Sequence, residues 1–161
     1  LKRASDADVL EVRRVLEPMA ARLAAGRRTA DELAQLRLAL AERDRARDQG
    51  ERARVVEQEV EFRELVARAS GNIVLGELVR TVARRGGRRD DETVPQLADL
   101  DPFSALFGAI ERGDGEAAGR AAERIVELDG GVVRVRVDEL ATRVSATPDN
   151  RRGPRVKRAN P

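Results

Sequence analysis

Residues 9–23 read VLEVRRVLEPMAARL, and the apolar side chains of this stretch recur at the spacing of an α-helix. The intervals between them are three and four residues, at Val9, Val12, Leu16, Met19 and Leu23. This spacing predicts a helix with one apolar face, beginning near Ser5 or Asp6 and ending at Gly26. Pro18 lies inside the pattern and is expected to kink the helix or to mark a local irregularity.

The composition also favours packed helices. The chain has 161 residues, which is enough for one domain with a buried core. Its hydrophobic fraction is 41%, but aromatic residues make up only 2%, with three Phe and neither Tyr nor Trp. A core with so few rings must be built from Leu, Val, Ile and Ala, which favours helices over a β-sandwich.

Similar patterns and capping residues predict the next helices. Thr29 is predicted to cap a second helix that closes at Gly50, and a third helix is predicted over residues 51–69. Asn72 is predicted to cap a fourth helix. Asp101-Pro102 combines an N-cap with proline at the first helical position, which is a strong start signal for the fifth.

The C-terminal part of the chain gives a less regular pattern. A sixth helix is predicted from Asp114 to Leu128, and Gly130-Gly131 is expected to interrupt or bend the next segment of the chain. Residues 132–137 (VVRVRV) alternate like a strand, but a strand without a partner is unstable, so we predict a helix there. Residues 86–100 are polar and are predicted to be a loop. Six or seven helices joined by short loops predict an all-α antiparallel bundle.

The residue types that are missing exclude several classes of site. There is no Cys and no His, which excludes disulfides, thiolate or imidazole metal ligands and catalytic triads. We find no paired carboxylates and no nucleophile beside a base, so we predict that the chain is not an enzyme. No apolar run approaches ~20 residues and no secretory signal opens the chain, so we expect a cytoplasmic location and no membrane partner.

The basic charge of the chain is concentrated at its C-terminal end. Of 31 basic and 29 acidic residues, five basic and one acidic residue fall in residues 145–161, which leaves 26 and 28 in residues 1–144. We therefore predict a near-neutral domain over residues 1–144 that has no basic surface of its own for nucleic acid. We predict a disordered basic tail over residues 145–161. The chain starts at Leu1 rather than Met, so we expect it to be a fragment.

Three motifs and their separations resemble a known family. They are RRVLEP at residues 13–18, ASGN at residues 69–72 and AIERGDGEAA at residues 109–118. Together they resemble the FCD domain, the all-α effector-binding domain of the FadR subfamily of GntR-type bacterial transcription regulators. The resemblance covers residues 9–126.

The resemblance implies a regulatory role. It implies a homodimer that binds a small metabolite, commonly a carboxylate, in the centre of the helical bundle. It also implies a winged helix-turn-helix domain before this one, absent from this chain, that contacts operator DNA. Many FCD domains hold a divalent metal through an Asp and three His.

The metal positions of that family carry other residues in this chain. The Asp-x-x-x-His pair falls on Glu59 and Arg63, and the other two histidines fall on Phe103 and Ile125. One carboxylate cannot hold a transition metal against water, so we predict no metal and no cofactor.

The same register gives the predicted ligand-binding residues: Arg13, Glu59, Arg63, Asn72 and Phe103. Arg63 is expected to supply the fixed cation, with Glu59 as one partner and a ligand carboxylate as the next. The alternatives are structural. In the first, Glu59 and Arg63 form an exposed helical ion pair. In the second, Asn72 is only a helix cap. In the third, Phe103 and Ile125 fill the centre of the bundle, which leaves a dimerisation module with a closed pocket.

Overall fold

The computed structural model describes residues 4–86 and 101–145, with side chains placed for residues 4–85 and 101–131, and its regular structure is entirely helical. The described residues form six helices: α1 (Asp6–Arg27), α2 (Ala30–Asp48), α3 (Arg52–Ala69), α4 (Ile73–Gly86), α5 (Pro102–Arg112) and α6 (Gly115–Ser145). The predicted all-α bundle is confirmed. None of the six combines the length and apolarity that a bilayer crossing requires.

The predicted caps explain where several helices begin. Ser5 and Asp8 form a capping box at the start of α1, and Thr29 and Glu32 form another at the start of α2. Asp101 accepts the backbone N–H of Ser104 at 3.1 Å. These short-range hydrogen bonds satisfy backbone donors that the first turn leaves open, so they could be predicted from adjacent residues.

Helix α1 is central to the packing because it contacts α3, α4, α5 and α6. Its buried face carries small side chains, at Ala20, Ala21, Ala24 and Ala25. Close packing is also seen on the facing helix, where a Cβ added to Gly119 of α6 would lie 2.6 Å from the Arg22 side chain. The core is therefore built from Ala, Leu, Val and Ile around two phenylalanines.

The predicted apolar face of α1 is partly wrong. Val12 and Met19 are 44% and 49% exposed, whereas the buried face includes Arg13 and Glu17. Helical spacing identifies the faces of a helix but not which face lies inside. Here the inner face accepts charged residues because they pair with one another and with residues of other helices.

The predicted interruption at Gly130-Gly131 is also wrong, because α6 continues through both residues to Ser145. Two glycines each lower helix stability by about 1 kcal/mol relative to alanine, which tertiary packing against α1 can offset. The predicted helix over residues 132–137 is confirmed. The predicted loop beyond Gly86 and the predicted tail beyond Ser145 lie outside the described residues.

Candidate functional site

Four charged side chains meet inside the bundle, between α1, α3 and α6. The Arg13 Nε donates to Glu17 Oε1 at 2.6 Å, and the Arg13 Nη2 donates to Asp129 Oδ2 at 2.8 Å. The Arg63 Nη2 donates to the same Asp129 oxygen at 3.0 Å. All four residues are buried. We call Arg13, Glu17, Arg63 and Asp129 the central ion-pair cluster.

A third buried arginine, Arg43, joins α2, α3 and the start of α5. Arg43 makes two hydrogen bonds to the Asp101 carboxylate, of 3.0 and 2.9 Å. Its Nε donates to Glu59 Oε1 at 3.2 Å. Paired N–H donors of this kind match a carboxylate in both position and charge. Asp101 therefore caps α5 and anchors Arg43 at the same time.

Phe103 connects the two groups of charges. The Arg43 guanidinium carbon lies 4.4 Å from the centre of the Phe103 ring, and that of Arg63 lies 5.1 Å from it. Both distances are within the range of cation–π attraction. Phe62 packs its ring edge-on against Phe103, with ring centres 5.7 Å apart. An aromatic ring thus fixes the positions of two buried guanidinium groups.

The electrostatics of the central cluster are balanced between two arginines and two carboxylates. Burial lowers the pKa of Arg63 below its ordinary value, while the charge of Glu17 acts in the opposite direction and the nearby Arg13 adds to the lowering. The Arg63 Nε lies 3.6 Å from Glu17 Oε2, too far for a hydrogen bond. Among the described residues, this Nε is buried without a hydrogen-bond acceptor.

The described residues leave little space beside Glu17 and Arg63. A cavity of about 10 Å³ touches Glu17 and Arg63 and is otherwise lined mostly by apolar side chains, including Leu106 and Ile125. This volume is about that needed by one water molecule. A ligand the size of a metabolite would not fit this cavity unless the surrounding side chains moved.

The structure brings four of the five predicted ligand-binding residues to the interior. Arg13 and Arg63 meet through shared carboxylates, and Glu59 and Phe103 lie beside Arg43. The partners of Arg63 differ from the expected one. Arg63 pairs with Glu17 and Asp129, on other helices, whereas Glu59, one turn away on α3, accepts from Arg43.

Asn72 lies elsewhere in the fold. It is exposed, and its Oδ1 accepts the Leu75 N–H at 3.1 Å, so it caps α4 as the structural alternative predicted. It lines a surface groove of about 490 Å³ between α3 and α4. Its ligand-binding role remains a prediction.

Sequence reasoning did not identify Glu17, Arg43 or Asp129 as site residues. A signal for each was present in the helical register. Glu17 follows Arg13 by four residues, and Arg43 follows the inward-facing Leu36 by seven. Asp129 follows the buried Ile125 by four. A charged residue in register with an apolar face is therefore a candidate for a buried ion pair.

The residues that the resemblance assigns to the family's metal positions offer a poor donor set for a divalent cation. Glu59 is held by Arg43, a guanidinium occupies position 63, and Phe103 and Ile125 offer no donor atoms. Within the described parts of the chain, no three Asp, Glu, His or Cys side chains are grouped so that they could hold a metal ion. Among the described residues, the cations at this site are the guanidinium groups of Arg13, Arg43 and Arg63.

Comparison with known proteins gives one family model and one curated relative. The model of the FCD domain matches residues 8–128. The "Galactonate operon transcriptional repressor" of Escherichia coli (strain K12) is 35% identical over 119 residues, which is 70% of this chain and 50% of the repressor. The chain thus spans about half the length of this relative.

Two solved structures have a similar fold. Streptococcus agalactiae GntR gives a TM-score of 0.65 at 26% identity, covering 76% of this chain and 56% of that one. E. coli McbR/YncC gives a TM-score of 0.66, covering 83% of this chain and 65% of that one. Its identity is 19%, so it supports the fold alone.

Proposed function

Because the chain belongs to the FCD domain family, we propose that it senses a small carboxylate metabolite, without a metal, for a GntR-type transcription regulator. The family and its regulator relatives support a regulatory, effector-binding domain that is not an enzyme. We propose in addition that the ligand is a carboxylate, that its site holds no metal and that the chain forms a homodimer.

The single observation that carries the proposal is the pair of buried arginines at the bundle centre. Arg13 and Arg63 both direct a terminal nitrogen at one carboxylate oxygen, that of Asp129. Two guanidinium groups that converge on one oxygen form a receptor for a carboxylate, and their burial strengthens the interaction. The charge that a metal would supply is present in the arginines.

Sugar acids are the first ligands to test. The curated relative is named for a galactonate operon. Galactonate carries one carboxylate, which suits the arginine pair, and several hydroxyl groups. Nearby carboxylates such as those of Glu17 and Glu59 could accept hydrogen bonds from these hydroxyls.

We also propose a homodimer, supported by an apolar surface on α1 and α4. Its exposed side chains are Val12, Val15, Met19, Val74 and Leu78. Leu16 and Leu75 pack at the contact between the two helices, and Met19 and Leu78 each follow one of them by one turn. We call these five exposed residues the α1–α4 face. In such a dimer, two preceding winged helix-turn-helix domains would be positioned on operator DNA.

A second candidate is a dimerisation module whose ligand site is closed. The specific observation in its favour is the 10 Å³ cavity, together with arginines that are already paired to protein carboxylates. Such a module would hold its DNA-binding domains in one arrangement whatever metabolites were present. The two candidates differ in whether any carboxylate stabilises the folded chain.

Thermal unfolding followed by circular dichroism distinguishes the metabolite-binding domain from the closed dimerisation module. Galactonate at about 100 times its dissociation constant should stabilise the chain by about 2.7 kcal/mol, because it binds only the folded state. Galactitol, which has a hydroxymethyl group in place of the carboxylate, should give no shift. The midpoint should also stay unchanged with added Zn²⁺.

Matched variants locate the binding site. Arg63→Met should remove the galactonate shift, whereas Arg68→Met should retain it. Arg68 is exposed on the same helix and hydrogen-bonds to Gln35 at the surface. If galactonate, gluconate, lactate and citrate all leave the wild-type midpoint unchanged, the closed module is the better description.

A further inference from the structure

Asp129 occupies the position that a ligand carboxylate would need. Its Oδ2 accepts hydrogen bonds from the terminal nitrogens of Arg13 and Arg63, at 2.8 and 3.0 Å. These are the two guanidinium groups of the central ion-pair cluster, and they come from different helices. A second carboxylate cannot use both donors while Asp129 holds them.

The other carboxylate of the cluster is held in a different way. Glu17 lies four residues after Arg13 on the same helix, and it accepts from the Arg13 Nε at 2.6 Å. That pair is local to α1, so Glu17 stays beside Arg13 whenever the helix is formed. Asp129 is 116 residues from Arg13 and 66 from Arg63 along the chain. Its contacts depend on how α6 packs against α1 and α3.

The surroundings of Asp129 allow it to be displaced. Gly130 and Gly131 come directly after it, and glycine is a poor helix former, so α6 is least costly to distort at this point. The small cavity beside Glu17 and Arg63 adds space next to the arginines.

We propose that Asp129 is an internal carboxylate that the effector displaces from Arg13 and Arg63. The arginines then exchange one carboxylate for another, and the number of buried charges paired with them stays the same. The inference depends on the proposed function only for the class of ligand. It adds that the chain carries its own competitor for the effector site, and that occupancy of the site is read out through α6.

Replacing the carboxylate side chain with a smaller one tests this directly in the full chain. Asp129→Ala removes the carboxylate and leaves a space that formate, the smallest carboxylate, can fill. The Asp129→Ala variant should have a lower unfolding midpoint than wild type, and sodium formate should restore most of the loss. Sodium chloride at the same ionic strength should not. Wild type should show no specific response to formate.

Two further variants serve as controls. Glu123 lies on the same helix and pairs with Arg22 at the surface. The Glu123→Gln variant should therefore show no formate effect. Asp129→Asn keeps the volume of the side chain but not its charge. It leaves no empty space for formate, which has no hydroxyl groups to help it displace the amide. Asp129→Asn should instead bind galactonate about tenfold more tightly than wild type, because a neutral amide competes less well for two guanidinium groups.

The outcomes separate this inference from the proposed function. Suppose that wild type binds a carboxylate metabolite, but Asp129→Asn binds it no better and formate does not rescue Asp129→Ala. The effector then does not displace Asp129, and the proposed metabolite-sensing function is retained. If formate rescues Asp129→Ala while wild type binds no metabolite, Asp129 does occupy an anion site, but the proposed role in sensing a metabolite fails. An Asp129→Ala chain that folds only when formate is present supports the inference, and one that formate never rescues overturns it.

Discussion

Arg13 and Arg14 are adjacent in the sequence and have opposite environments. Arg13 is 2% exposed and pairs with Glu17 and Asp129, whereas Arg14 is exposed. Removing one member of a buried ion-pair cluster leaves the remaining charges poorly compensated. At the residue scale, we therefore expect the pairing of a charge, rather than its presence, to decide how much it contributes to stability.

Arg13→Met should lower the free energy of unfolding by about 3–5 kcal/mol, because Glu17 and Asp129 would then share Arg63 alone as their cation within the cluster. Arg14→Met should change it by less than about 0.5 kcal/mol. Urea denaturation followed by circular dichroism measures both. Equal losses in the two variants would show that the central ion-pair cluster adds nothing to stability beyond an exposed arginine.

The helical caps and the charged interior differ in how far sequence predicts them. Thr29, Asp101 and Asn72 act on residues within three positions, so their roles could be inferred locally. The contact between Arg63 and Asp129 spans 66 residues and depends on how α3 and α6 pack. The family resemblance placed Arg63 on the inner side of α3, but helical spacing could not supply a partner from another helix.

At the scale of the elements, two glycines have different roles. Gly113 ends α5 with a φ of 76°, a left-handed conformation that disfavours side chains, and a Cβ there would lie 3.3 Å from Arg28. Gly131 lies inside α6, and a Cβ there would meet nothing within 4 Å. The first glycine is required by the backbone, and the second is not.

Gly113→Ala should therefore destabilise the chain by about 1–2 kcal/mol, and Gly131→Ala should stabilise it by about 0.5–1 kcal/mol. The sign of the second change depends on the continuous helix, which the sequence alone did not predict. Thermal and urea unfolding of both variants checks the pair. A destabilising Gly131→Ala would indicate that α6 needs glycine at this position.

At the scale of the whole molecule, the α1–α4 face predicts how two chains associate. Leu78→Glu should convert the proposed dimer to a monomer, because the new charge would be buried without a partner in the interface. Leu38→Glu on α2 is the matched control, since Leu38 is 63% exposed and lies outside that face. Sedimentation equilibrium gives the molecular mass of each variant. Dissociation by Leu38→Glu alone would place the interface on α2.

Helix α1 carries the buried ion pairs on one side and the exposed valines on the other. Val12 and Arg13 are consecutive residues, so the proposed effector site and the proposed dimer contact share one helix about 10 Å thick. Two binding events that move the same helix are linked thermodynamically, and the linkage acts equally in both directions. An effector that tightens the dimer must itself bind the dimer more tightly, so its apparent affinity should rise as the protein becomes more concentrated.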